Sequence, residues 1–269
     1  MGPNRRLGVL VAYDLRLAIG SRRGLVFVGF FAMVWGWFLW KLSGGIAEQL
    51  HDDKINALIS MFMGRISRLI GERPATLSAY FVITLTLVPW FAMVSACNQT
   101  AGDLATKHLR FLMPRVGRVN IYFARLLGAA IVVGGAQLLG AVAVTGVQLS
   151  LRVAPPAQVL AFGAQIALVL TVYSLAYVAM MAFVSVVTAS SRLSLMAGLG
   201  GYVLVLILAA LLAHLWSPLA RLGYLLPSEL VNELMQPDLG GALTGLAGIA
   251  VYIVAYTYAG LRVFRVRDA

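Results

Sequence analysis

The residues of this chain that could do chemistry are few and scattered. Three histidines, His51, His108 and His214, lie far apart, and no His-x-x-x-His or Cys-x-x-Cys pair is present, so the pattern offers no metal site. The single cysteine, Cys97, can form no intramolecular bridge. No serine sits in a G-x-S-x-G turn, no Ser/His pair is embedded in an apolar stretch, and no catalytic residue is assigned. A phosphate-cradling G-x-x-x-x-G-K-[ST] loop is missing, so the chain cannot bind ATP through a P-loop of its own. Chemistry-bearing side chains concentrate in one stretch, Asn98 to Arg125. Within it Gly102, Asp103 and Leu104 open a short helical run that Pro114 stops. Leu104, His108, Phe111 and Leu112 could share one face, bordered by Lys107, Arg110, Arg115 and Arg118. Such a loop either fixes topology through its charge or docks into a groove of a protein partner. Phe111 and Leu112 need burial somewhere, which favours docking.

The elements that position this stretch follow from composition. Of the 269 residues, 61% are hydrophobic and 12% charged, with a mean hydropathy of +0.88. A soluble domain runs nearer half apolar and a quarter charged, so most of this surface must face lipid. Six stretches approach the length a membrane helix needs. They are Gly24–Trp40, Ala75–Cys97, Ile121–Ser150, Pro156–Ser190, Leu193–Ala213 and Leu239–Leu261. The fourth is long enough to tilt or to carry an interfacial turn.

The net charge of +11 is distributed by side. With both termini inside, the inner segments hold fourteen bases and only three acids, Asp14, Asp103 and Asp268, while the outer segments hold seven of each. The whole excess is therefore internal, as the positive-inside rule expects, and the basic pI reports topology rather than nucleic-acid binding. The first span is followed at once by Lys41 without a clear cleavage site, which argues for an uncleaved helix.

Ahead of it, Leu7, Leu10, Val11, Leu15 and Leu17 recur near helical spacing among Arg5, Arg6, Asp14 and Arg16. This predicts an amphipathic helix in the inner interface, either a basic anchor or an elbow that touches a partner. Outside, Ile55, Leu58, Ile59, Phe62, Ile66, Leu69 and Ile70 form one apolar helical face within Leu42–Pro74. It reads as a surface helix or as a gate. Ser228 followed by Glu229 looks like the N-cap of another short helix ending before Pro237. No Asp, Glu, Lys or His lies near the middle of any span, and Arg125 is about one turn from the inner boundary, which argues against a proton-driven transporter. In the third span Gly128, Gly134, Gly140 and Gly146 repeat every six residues. They serve packing within the chain, or a dimer seam or sliding surface. Tyr252 and Tyr256, one turn apart, read as packing or interface anchors.

Six spans with both ends inside, an N-terminal amphipathic elbow, and a basic loop ending in Pro114-x-x-x-Arg118 resemble the ABC-2 type permeases of ATP-binding cassette exporters. The resemblance implies an all-α membrane protein whose residues 1–269 form a single permease domain, with six transmembrane helices, an elbow helix and outer interfacial helices. It also implies that Gly102–Pro114 is the coupling helix seated in a separate P-loop ATPase subunit. The ATPase-coupling residues would then be Gly102, Asp103, Leu104, Lys107, His108, Arg110, Phe111, Leu112, Pro114 and Arg118. The partner would bind ATP and Mg and hydrolyse the ATP, leaving this chain without cofactor or metal. A second permease copy would complete the pathway in the cell (inner) membrane, with both termini cytoplasmic; the apolar lining suits a lipid, drug or peptide, and no residue names the cargo. A non-transporting membrane scaffold and a secondary transporter or facilitator are the competing readings.

Overall fold

The computed structural model describes residues 3–20, 29, 32–37, 40–41, 73–105, 116–215, 226–236 and 238–267. Among them all regular structure is helical. The helices are α1 (Pro3–Gly20), α2 (Ala75–Ala96), α3 (Ala101–Ala105), α4 (Arg118–Leu151), α5 (Pro156–Thr188), α6 (Ser191–Leu215), α7 (Pro227–Leu234) and α8 (Leu239–Val266). Five of the described helices are long and apolar enough to cross a membrane. The chain thus has the character of a multi-pass membrane protein. They correspond to the last five of the six expected spans. Residues 32–37 within the first span are helical, and the rest of that span is largely outside the described residues. The outer helix expected over residues 55–70 lies outside them as well.

The boundaries follow local chemistry. Pro74 and Pro155 stand at the N-caps of α2 and α5, where a missing N–H costs no hydrogen bond. The α5 helix runs unbroken to Thr188, so its extra length makes no interfacial turn. Arg152 and Ala189 close α4 and α5 in the left-handed conformation, at φ 54° and 51°, each returning its N–H to the helix behind it. The short helix expected between the fifth and sixth spans forms, but its start differs. Leu226 is the N-cap and Pro227 the first helical residue, so Ser228 lies inside the helix and caps nothing. Proline's fixed φ sets this start better than a serine hydroxyl one position later. Asp238 caps α8, accepting from the Gly241 N–H at 2.8 Å.

The α5 helix is the centre of the bundle, packing against α4, α8, α2 and α6. Its buried face carries Phe162, Ile166, Leu170, Tyr173, Tyr177 and Met181. Tyr173 and Tyr177 share a hydroxyl–hydroxyl hydrogen bond of 3.0 Å and meet edge to face, and Tyr177 meets Tyr202 of α6 in the same way. By contrast α6 leaves Leu204, Leu206, Ile207, Leu208 and Leu211 exposed, which suits a lipid-facing helix.

The six-residue glycine repeat resolves into helix geometry. Six residues turn a helix by about 240°, so successive glycines face three directions in rotation. A Cβ on Gly128 would sit 3.2 Å from the Asp14 Cβ of α1. One on Gly134 would lie 3.4 Å from Thr171 of α5, and one on Gly140 would collide with the Tyr80 hydroxyl of α2. Three glycines therefore admit three different neighbours. Gly146 returns to the Gly128 direction about 27 Å further along, and nothing lies within 4 Å of its built Cβ. Tyr252 and Tyr256 stack at 5.9 Å between ring centroids, and Tyr256 lies 6.2 Å from Phe183 of α5, so both serve packing.

Candidate functional site at the basic end of the bundle

The end of the bundle that carries Arg118, Arg125 and the C-terminus gathers most of its polar contacts. Arg125 lies two turns into α4, where an unpaired guanidinium would be costly. It is 17% exposed and reaches two carboxylates. One is Asp14 of α1, 12% exposed, which Arg125 holds through Nη1. The other is Asp103 of α3, 19% exposed, whose Oδ2 lies 2.6 Å from Nη2. A single guanidinium thus joins the N-terminal helix to the segment that follows α2. Its planar fork suits two carboxylates approaching from different sides.

Electrostatics make this a strained share. Burial pushes the Asp14 carboxyl above its ordinary value, Arg125 pulls it down, and the like charge of Asp103 raises it again. Burial prevails, so the shared pair holds Asp14 less firmly in its charged form than an isolated ion pair would. Gly128, one turn beyond Arg125, lets the α1 backbone come close enough for the contact.

The turn between α2 and α3 is fixed from the other side. Gln99 Nε2 donates to the Val178 carbonyl at 3.2 Å, and the Thr100 and Ser185 hydroxyls share a buried hydrogen bond of 2.7 Å. Ser191 at the start of α6 donates to Asn98 Oδ1. A Cβ on Gly102 would fall 2.6 Å from that same Asn98 Oδ1, so only glycine leaves this amide its place. Leu104 packs into a small apolar cluster with Ile121, Tyr122, Ala182, Val186 and Phe264. Its face is committed to the chain's own core.

Arg118 begins α4 and donates from Nη1 to the carbonyls of Arg265, at 2.7 Å, and Arg267, at 3.1 Å. Arg267 in turn donates to the carbonyls of Val186 and Val187, at 2.7 Å to the latter. Cations on helix C-terminal carbonyls satisfy orphan acceptors and complement the helix dipole. Arg118 is therefore a cap that ties α4 to α8, and Arg267 ties α8 to α5.

Of the expected coupling residues, Gly102, Asp103, Leu104 and Arg118 are thus brought to one end of the bundle. Lys107, His108, Arg110, Phe111, Leu112 and Pro114 lie outside the described residues. Asp14 and Arg125 are the members sequence reasoning passed over. A base inside an apolar helix beside only three acids on its side of the membrane was the available signal. Among the described residues no three His, Cys, Asp or Glu side chains converge as a metal site would require. Compared with protein-family models and with curated proteins, the sequence matches none.

Proposed function

We propose that this chain is the membrane permease subunit of an ATP-driven exporter, moved by a separate P-loop ATPase that engages the segment after α2. The observation that carries the reading is the anchorage of that segment. Its first residues are bound to α1, α4, α5 and α6 through Asp103–Arg125–Asp14, Gln99–Val178, Thr100–Ser185 and Asn98–Ser191. A force delivered to residues 98–105 would reach four helices through short polar contacts. A topological loop needs no such linkage.

In this reading α1 is the elbow, residues 24–40 supply a sixth span, both termini are cytoplasmic, and a second permease copy completes the path. Lys107, His108, Arg110, Phe111, Leu112 and Pro114 face the ATPase, which binds ATP and Mg. The test is co-purification of the tagged chain in mild detergent, assayed for a stoichiometric ATPase subunit and vanadate-sensitive hydrolysis. Phe111→Asp and Arg110→Glu are expected to abolish association while membrane insertion persists. An ATPase retained in both variants would overturn the coupling assignment, and its absence from the wild type would favour a scaffold.

A further inference from the structure

A second polar feature lies at the opposite end of the bundle, within the apolar spans. On α2, Thr76, Tyr80 and Thr84 recur at i, i+4 and i+8 and are all buried. On α4, Gln137 and Gln148 are each 3% exposed. Helix geometry fixes where these glutamines point. Gly140 meets Tyr80 of α2, while Gly134 and Thr145 meet Thr171 and Gly163 of α5. Measured from Gly140, Gln137 and Gln148 lie about 60° and 80° around α4, and Gly134 and Thr145 about 120° and 140°. Both glutamines therefore enter the junction between α2 and α5.

Contacts between Asp103 and Arg125 and between Tyr80 and Gly140 make α2 and α4 antiparallel. Thr84 is then about level with Gln137, and Gln148 lies near the helix ends, where Arg73 stacks 5.2 Å over Phe162. The row spans about 20 Å from Gln148 to the level of Gly134. Gln148 Oε1 is fully buried without a hydrogen-bond partner, and so is Thr171 Oγ1 opposite Gly134. A carbonyl oxygen left alone in an apolar setting is costly, because it has lost its water without gaining a donor. Two glutamines and an orphan acceptor are a poor way to pack helices and a good way to hold a donor.

We propose that the α2–α4–α5 junction is a ligand site for an uncharged, hydroxyl-bearing headgroup of an amphiphile, entered beside Arg73 and Gln148. Hydroxyls satisfy the ligand requirements on both counts. At the mouth they donate to Gln148 Oε1, and a headgroup held there closes the path to Thr84, Gln137 and Thr171 deeper in the row. The charged side chains of α2, α4 and α5 are Arg118 and Arg125 at the far end of α4, so a cationic headgroup would find no counter-charge along the row, and the orphan Gln148 Oε1, an acceptor, would repel an anionic one even beside Arg73. The alkyl portion of such a ligand would extend into lipid. As a cargo site this rests on the permease reading; as a binding site it does not.

The test is cysteine accessibility in the purified Cys97→Ser protein carrying Thr84→Cys, Gln148→Cys or, as a dry control, Ile166→Cys. The probe is 2-aminoethyl methanethiosulfonate, with octyl glucoside and a chain-matched dimethylamine oxide as competitors. Positions 84 and 148 should react about tenfold faster than 166, the separation between an open site and one reached by local opening. Free glucoside at four times its Kd should slow both about fivefold, and the amine oxide should not. Gln148→Leu should remove that protection at position 84. Where a cysteine variant does not fold, thermal unfolding of the wild type and Gln148→Leu replaces it, with stabilisation by the glucoside over the amine oxide expected only in the wild type. Labelling no faster than at 166 overturns the site. So does labelling that neither competitor slows, which leaves water as the occupant, or that both slow equally. Either failure leaves ATPase association untouched, and loss of ATPase association leaves the labelling untouched.

Discussion

Arg125→Met should expose what the shared guanidinium does. The substitution keeps the unbranched stem and its apolar contacts while removing the charge. Two carboxylates, 12% and 19% exposed, then face each other without a cation. Removing one partner of a buried ion pair costs about 3–5 kcal/mol, and here two acids are orphaned, so about 3 kcal/mol is a lower figure. For a chain of this size that corresponds to a fall of about 6–12 °C in the unfolding midpoint. The assay is tryptophan-fluorescence thermal unfolding in detergent, across a cycle of Arg125→Met, Asp14→Asn/Asp103→Asn and the triple variant. The triple variant should recover most of the loss, because three neutral groups replace an uncompensated pair. The pH dependence has a defined sign. A carboxyl raised by burial, as that of Asp14 is, binds its proton more tightly folded than unfolded, so its penalty grows as pH rises and fades on acidification. Arg125→Met should therefore regain stability as pH falls from neutrality into the carboxylate range. A midpoint within 2 °C of wild type, or a triple variant no better than the single, would refute the reasoning.

Other sites make sharper local tests. Gly140→Ala drives a Cβ into the Tyr80 hydroxyl and should cost about 1–3 kcal/mol, most of it returned by Tyr80→Phe; a double variant no better than Gly140→Ala would show the clash lies elsewhere. Gly245→Ala places a Cβ 2.7 Å from the Leu234 nitrogen and 2.8 Å from the Leu230 carbonyl oxygen. Those are backbone atoms, so α7 must lift from α8, and faster proteolysis between residues 226 and 236 would report it. Ala189 holds φ 51° at the end of α5, so Ala189→Gly should raise stability by about 1 kcal/mol, read as a higher unfolding midpoint. Tyr122→Phe removes a buried hydroxyl that has no partner and should be neutral or stabilising by about 1 kcal/mol; a clear loss would mean the hydroxyl is bonded.

The spans were legible because hydropathy and length act over twenty residues at a time, and α2, α4, α5 and α8 start within three residues of their expected positions. Proline did much of this work at Pro74 and Pro155, whereas the part Pro227 plays in starting α7 was missed in favour of Ser228. Side-chain partners were not legible. Asp14 and Arg125 stand 111 residues apart, and no local pattern says that α1 lies on α4. The glycine repeat was visible, yet its meaning needed the helix phase and three neighbours. Arg118 illustrates the other direction. As a loop base it suits a partner's surface, but the structure spends its guanidinium on two carbonyls of α8.

That expenditure bears on how the proposed permease would move. Arg118 and Arg267 bind α4, α8 and α5 through backbone carbonyls, which present no alternative charge state and resist rearrangement. The link from α1 to α3 is of another kind, because one guanidinium serves two acids and burial already disfavours the charge on Asp14. Arg125 can hold Asp103 while releasing Asp14, because burial already disfavours the charge on Asp14 and a proton can take the guanidinium's place there. The weak joint in this end of the bundle is therefore the α1–α4 contact. If an ATPase pulls on residues 106–115, α3 and α4 should travel with α5, α6 and α8, and α1 should be the element that slips. A disulfide between α1 and α4 would then arrest coupled ATP hydrolysis, whereas one between α4 and α8 would leave it running. Equal activity in both cross-linked forms would place the moving joint elsewhere.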